Sequence, residues 1–397
     1  MIAISDSTPS SLFFRIAAAP SPRDLNWAQR DLRGMDWNAL IGLALIENSI
    51  TVLQTQIASL PAGSVAPKIR SQIDRLAMVW TFKLTHLKAR LAEAIEVLAA
   101  ADIEVTLLKG AALALSTYPR FADRPMADLD LMVDPGVADA AHEILQHAGW
   151  QIETASLEPD SWQDHHHLPP LADTTGSGLR LELHTAPLTP GHPFRFTSRD
   201  INESAKRIQI GSAHALVPEI HHHAVHAAIH FAYSHQFLSG RLNFFRDLSA
   251  LTSRPDWSWD RFTDIATGSA SQPACYWALR LARAVTGQAV PSAVLEKLSP
   301  QLGDRISSVL EKHFTQLVLR AEHSCPSVEL RHRLWAFALR LPDSTGRTSQ
   351  AWLPPSHSGA QTRQHSRLRH LGTHLRRAPR WSRYVASLIA PALEMMA

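Results

Sequence analysis

The sequence predicts an α+β fold, a small mixed sheet flanked by N-terminal and C-terminal helical regions. Apolar residues recur at helical spacing from about residue 27 to residue 100. Residues 101–217 instead break into short apolar or alternating runs punctuated by Gly and Pro, the mark of strands and turns. Helical spacing then returns over residues 218–342. A stretch rich in Ser, Thr, Gly, Pro and Gln at 343–366 reads as a linker or mobile loop, and 367–397 as a basic C-terminal helix.

Composition bounds the answer. The 397 residues are enough for two or three domains, and 45% hydrophobic content fits a sizeable core. No apolar stretch reaches the length of a membrane span. The opening MIAISDSTPSSLFFRIAAAPSP lacks the basic-then-apolar order of a signal peptide and reads as a loose lead-in. With Cys275 and Cys325 as the only cysteines, a disulfide framework is not expected and a cytoplasmic location is. The formal charge of +3 is unevenly spread: residues 331–383 hold eleven Arg, no Lys and the single acid Asp343. Such a basic tail suits an anionic partner, or docking on the body or another subunit.

In chain order, WNALIGLALIENSITVLQTQI and IRSQIDRLAMVWTFKLTHLKARLAEAIEVLAAA are helices divided by the PAGSVAP turn. VTLLKG is a buried strand stopped by Lys109-Gly110, and AALALSTY a short helix. Pro119 and Pro125 bracket a turn before a second strand, ADLDLMV. VADAAHEILQHAGW is an amphipathic helix closed at Gly149, and WQIETAS a strand. Gly176 and Gly178 fit a hairpin turn into LRLELH, whose Arg180, Glu182 and His184 share one face.

The chemistry gathers at Asp128 and Asp130. They alternate with Leu129, Leu131 and Val133, so a strand puts both carboxylates on one face. Carboxylates so placed can reach one hard cation, and Mg²⁺ takes oxygen ligands at about 2.1 Å. A metal pair about 3.5–4 Å apart could clamp both oxygens of a phosphoryl transfer. Gly110 would let backbone N–H groups approach a phosphate, and Lys109 and Arg124 would add positive charge there.

Lys109-Gly110, Arg124 and Asp128-Leu129-Asp130-Leu131, in this order and spacing, resemble the DNA polymerase beta-like nucleotidyltransferase superfamily. More narrowly they resemble its bacterial uncharacterised nucleotidyltransferase family, with the pattern LKG…R…D-[IL]-D-L. Better-known superfamily members carry Gly-Ser after the first strand, where this chain has Gly110-Ala111. The resemblance implies a nucleotidyltransferase palm over residues 101–217. It further implies an NTP substrate, Mg²⁺ with Mn²⁺ as substitute, and release of pyrophosphate. On residues alone, Glu182 reads equally as a surface residue and as a third carboxylate; the resemblance implies the catalytic, metal-binding role. It also places His167, before Leu-Pro-Pro-Leu, at the phosphates, where a solvated loop is the plain alternative. His184 reads as a phosphate contact or a strand-positioning residue. The acceptor (a small molecule, peptide, protein or RNA) is not readable, although peptide or natural-product tailoring is one setting.

Further on, His222, His226 and His230 lie four apart and share a helix face. That is a zinc spacing, yet no CxxC or HExxH accompanies it. A plain structural role is the other reading of the residues, and the resemblance implies a helix that packs against the palm and lines the cleft, where His226 or His230 would meet nucleotide or acceptor. Arg246-Asp247 reads as a helix-surface ion pair, while the resemblance, through an aromatic-x-Asp-Leu helix, implies that Asp247 orients a cleft residue. Rival functions are a non-catalytic nucleotide- or partner-binding protein on the same fold, and a metal-binding protein built on the histidine helix.

Overall fold

The computed structural model describes residues 13–15, 18, 35–153, 165–320, 325, 327–341 and 384. The chain enters through α1 (Trp37–Ile46), capped by Asp36, whose side chain accepts from the Ala39 N–H at 3.0 Å. After α2 (Ile50–Ala58), Pro67 opens α3 (Pro67–Ala100), as a residue without an N–H can at a first turn. At 34 residues α3 is roughly 50 Å long. It therefore serves two cores. Ile73 packs with the other helices, while Leu84, Leu87, Leu91, Ala94, Ile95 and Leu98 form a stripe under the sheet.

The sheet follows. Its elements are β1 (Thr106–Leu107), α4 (Lys109–Ser116), β2 (Asp128–Met132), α5 (Ala138–His147), β3 (Trp150–Ile152), β4 (Leu171–Asp173) and β5 (Arg180–His184). They continue with α6 (Ser198–Asn202), β6 (Lys206–Ile210) and β7 (Ala213–Val217). Among the described residues the seven strands take the order β3-β4-β5-β2-β1-β7-β6. The sheet is mixed: β2 pairs with β5 and β1 with β7 in parallel, and the other pairs are antiparallel. Leu129, Leu131, Leu181 and Leu183 are wholly buried on the face toward α3. The alternation therefore turns the polar residues of β2 and β5 the other way.

One expected element is shorter than its apolar run. The strand over VTLLKG spans only Thr106–Leu107, and Lys109-Gly110 open α4 instead of ending the strand. The Leu108 N–H still bonds to the Asp130 carbonyl at 2.9 Å, but Lys109 then takes φ 45° and the chain turns. Gly149 (φ 86°) ends α5, and Gly176 and Gly178 (φ 75° and 67°) turn the hairpin into β5. The expected strand WQIETAS is present to Ile152; from Thr154 onward it lies outside the described residues.

Helical structure resumes with α7 (Ile220–Ile229), a π-helical turn (His230–Ser234), α8 (Arg241–Thr252), α9 (Trp259–Gly268) and α10 (Gln272–Thr286). After α11 (Ser292–Leu298), α12 (Asp304–Val318) and α13 (Val328–Ala338) complete the described helices. They share one core with α1 and α2, in which Leu40 and Leu53 join Phe231, Phe245, Trp277 and Phe314. A buried ion pair between Glu47 and Arg241 ties the end of α1 to α8. The expected linker at 343–366 and the basic tail at 367–397 lie outside the described residues, except Tyr384, whose hydroxyl hydrogen-bonds His313. No described helix is long and apolar enough to cross a membrane.

Between β6 and β7, Gly211 holds φ 60° beside Glu96, whose carboxylate accepts from Ser212 N and Oγ at 2.7 and 2.8 Å. A Cβ at Gly211 would collide with that carboxylate, whereas one at Gly63 (φ 85°) meets nothing within 4 Å. Gly211→Ala should cost roughly 2 kcal/mol in urea unfolding and Gly63→Ala only about 1 kcal/mol. Equal costs would show that this hairpin is not seated on α3 as described.

Candidate active site

Strand register builds the site. In the parallel β2–β5 pair, Asp128 lies opposite Arg180, Asp130 opposite Glu182 and Met132 opposite His184. Neighbouring strands lie about 4.8 Å apart, while residues i and i+2 along one strand are about 6.6 Å apart. The carboxylate nearest Asp130 is accordingly across the ladder. Asp130, Glu182 and His184 each offer a donor atom, and these atoms all lie within 4.8 Å of one another. Among the described residues this is the group that could hold a metal ion. Asp128, one pleat away, is not in it; this carboxylate sits in the fields of Asp130, Lys109, Arg180 and Arg124.

Positive charge comes from the first residue of α4. Lys109 Nζ donates to Asp130 Oδ1 at 2.6 Å, and His184 Nε2 meets the same oxygen at 2.9 Å. His184 Nε2 is also 3.7 Å from Glu182 Oε2. Lys109 reaches this position from a left-handed backbone conformation, which a side chain other than Gly adopts at a cost. Gly110 beside it has a steric reason: a Cβ would press on Arg124 Nη1 at 3.2 Å and Met126 Cβ at 3.3 Å.

These neighbours divide the carboxylates by charge. Burial alone would raise Asp130, but Lys109 and His184 together hold it well below the usual carboxylate range. Burial raises Asp128, and the charge on Asp130 raises it further. Glu182 is pushed up to about 7, by burial first and then by Asp130 and Asp128. A carboxyl titrating near neutrality can accept and return a proton. It also marks an excess of buried negative charge that a divalent cation would neutralise, so the donor set fits such an ion.

Arg124, expected at a phosphate, is held from behind. Its Nε and Nη2 donate to the two Asp247 oxygens at 2.7 and 2.8 Å, and Nη1 donates to the Pro125 carbonyl at 2.6 Å. The Tyr118 hydroxyl donates to Asp247 Oδ1 at 2.8 Å. Asp247 is therefore not the surface partner of Arg246. It is 4% exposed and faces Arg124, while Arg246 turns to the Asp123 carbonyl at 2.9 Å and lies over the Tyr118 ring. No local spacing reveals this pair, because its members are 123 residues apart.

Histidines surround the Lys109 side of the site. His167 forms an isolated bridge with His184, and the His166 and His167 rings lie 5.0 and 5.3 Å from the His184 ring. From α7 and the π-helical turn, His226 and His230 come into the fields of Lys109 and Asp130, as does His235 just beyond. Burial first, then Lys109 and neighbouring imidazoles, holds them neutral: His226 falls to about 4 and His230 well below its ordinary value. His166 falls to about 2 by the same causes. The expected His222, His226 and His230 set does not converge. His222 bonds to Glu219 at 3.2 Å and Ser204 at 3.3 Å, while His226 Nε2 donates to the Pro187 carbonyl at 3.0 Å. Sequence reading weighs His166 only as a neighbour of the better-matched His167 and passes over His235, for which the density of histidine in 221–235 is the available signal.

Comparison with protein families returns a model described as an uncharacterised nucleotidyltransferase, which matches residues 33–287, well over half of the chain. No curated protein and no solved structure matches the chain.

Asp247→Ala strands a buried guanidinium and should cost about 3–5 kcal/mol in chemical unfolding; a loss under about 1 kcal/mol would show that the pair does not matter to the fold. Glu182 supplies a pH signature. Because its folded value lies above the unfolded one, wild-type stability relative to Glu182→Gln is undiminished below about pH 4.5 and falls as pH rises through about 7. In metal-free protein at pH 8, Glu182→Gln should be the more stable by roughly 2–3 kcal/mol. A difference that does not vary with pH would contradict the buried, repelled carboxyl.

Proposed function

The chain belongs to this uncharacterised nucleotidyltransferase family, and on that premise we propose that it moves a nucleoside monophosphate from an NTP to an acceptor nucleophile. The carrying observation is the register that sets Asp130 opposite Glu182, with Lys109 Nζ bonded to Asp130. The NTP phosphates would lie at the start of α4, facing Lys109 and the backbone N–H groups around Gly110. Arg124, fixed by Asp247, adds positive charge next to Asp128 without having to be ordered during the reaction. His167 lies beside the site as a neutral hydrogen-bonding group, and the buried His184 stands neutral behind the carboxylates.

Asp128, Asp130 and Glu182 would hold a divalent cation, Mg²⁺ or Mn²⁺, which when bound neutralises charge on the phosphates. Glu182 accepts the proton of the acceptor group. The acceptor atom bonds to the α-phosphorus as the bond to the bridging oxygen breaks, and pyrophosphate leaves. The protein contributes position and fixed charge, with no covalent intermediate. Residues 101–217 would act as the catalytic palm and the flanking helices as walls of the acceptor cleft. The acceptor is a small molecule, peptide, protein or RNA, and the basic tail is a contact for an anionic partner or a second subunit.

Labelled NTPs incubated with the protein and a cell extract should yield a labelled acceptor. Asp128→Ala and Asp130→Ala should each lower turnover by about 10³-fold or more with an unchanged far-UV spectrum. Turnover retained by both would remove the cation-site assignment. Lys109→Ala should weaken NTP binding by about 10–100-fold, and unchanged affinity would count against its phosphate role.

A further inference from the structure

The cation site is not built from oxygen alone. His184 ends β5 and is wholly buried, so its ring has no route to solvent. The neighbouring backbone is pinned, with the Val133 N–H bonded to the His184 carbonyl at 3.0 Å. From there Nε2 stands 2.9 Å from Asp130 Oδ1 and 3.7 Å from Glu182 Oε2. Two ligands at right angles on a cation, each about 2.1–2.2 Å from it, are themselves about 3 Å apart. Nε2 and Oδ1 already have that spacing. Other nearby imidazoles are turned elsewhere: His226 Nε2 faces the Pro187 carbonyl, His166 Nδ1 the Thr189 hydroxyl and His167 Nδ1 the Leu168 carbonyl. Only His184 joins the two carboxylates within 4.8 Å among the described residues.

Donor chemistry then bears on the metal. Mg²⁺ prefers oxygen ligands and dehydrates reluctantly. Imidazole suits ions of the first transition row better than it suits Mg²⁺, and among them Mn²⁺ is the one that shares the octahedral, carboxylate-rich sites of Mg²⁺. Resting on the nucleotidyltransferase reading, we infer that His184 is itself a metal ligand through Nε2, and that the site takes Mn²⁺ in preference to Mg²⁺. The competing role is positional: Nε2–H donating to Asp130 and steadying that carboxylate. One nitrogen cannot do both, because coordination needs the lone pair that the proton would occupy.

The test adds Mn²⁺ alone to the purified full chain and records electron spin-echo envelope modulation. A directly bound imidazole gives nitrogen modulation. The wild type should show it, and His184→Gln should lose it while binding Mn²⁺ about 10–100-fold more weakly; Mg²⁺ affinity should change far less. Bound Mn²⁺ without nitrogen modulation, or modulation that survives His184→Gln, overturns the inference. His184→Asn provides a second variant. Should neither fold, the wild-type spectrum and a Mn²⁺–Mg²⁺ competition decide: no nitrogen coupling, or Mg²⁺ competing on equal terms, overturns it. The underlying reading fails separately. Nitrogen-coupled Mn²⁺ with no nucleotidyl transfer removes the enzymatic role and leaves His184 a ligand, whereas failure to bind Mn²⁺ at all removes both.

Discussion

Everything at the site depends on two strands running parallel with Asp130 and Glu182 face to face. Two buried carboxylates at that separation cannot both be ionised without a counter-charge. Lys109 provides one charge: it is hydrogen-bonded to Asp130 at 2.6 Å and reaches Glu182 through its field alone. It secures Asp130 as an anion and leaves Glu182 titrating at about 7. One carboxylate is thus held as an anion and the other left near its midpoint at neutral pH, although their residue types differ by one methylene. Closer contact with Lys109 and His184 makes the difference.

Holding that arrangement requires the surrounding fold. The leucines between the acidic positions anchor β2 and β5 on α3, which fixes the opposite face by elimination. The Arg124–Asp247 pair adds a second tie, joining the turn before β2 to α8 in the helical core. It is bidentate and buried, and Tyr118 donates to one of its oxygens. A pair of this kind contributes modest net stability compared with an apolar contact, but it specifies one alignment of sheet and helices. Gly110 belongs to the same constraint, since the guanidinium lies 3.2 Å from where a Cβ would stand.

The histidines answer a related electrostatic requirement. A cleft lined with lysines or arginines would compete with a cation for the carboxylates. Imidazoles held neutral by burial and by Lys109 offer polar atoms without that competition. The π-helical turn at His230–Ser234 changes the helical phase where His230 meets this region, in keeping with the frequent placement of such turns at functional sites.

The sequence by itself determined the α+β class, the helices on both sides, the strand bearing Asp128 and Asp130, and the shared face of Arg180, Glu182 and His184. Each follows from a period of 2 or 3.6 residues, or from Gly and Pro at turns, and such signals are local. It overextended the first strand, because an apolar run does not say where a left-handed Lys109 will turn the chain. Tertiary structure alone decided which strands pair and in what register, and so made His184 a closer neighbour of Asp130 and Glu182 than Asp128 is. It alone carried Asp247 from an apparent surface position to Arg124, and separated His222 from His226 and His230. The physical reason is that pairing and burial are settled by contacts between segments far apart in the chain, and a single strand or helix carries no record of the partner it will meet.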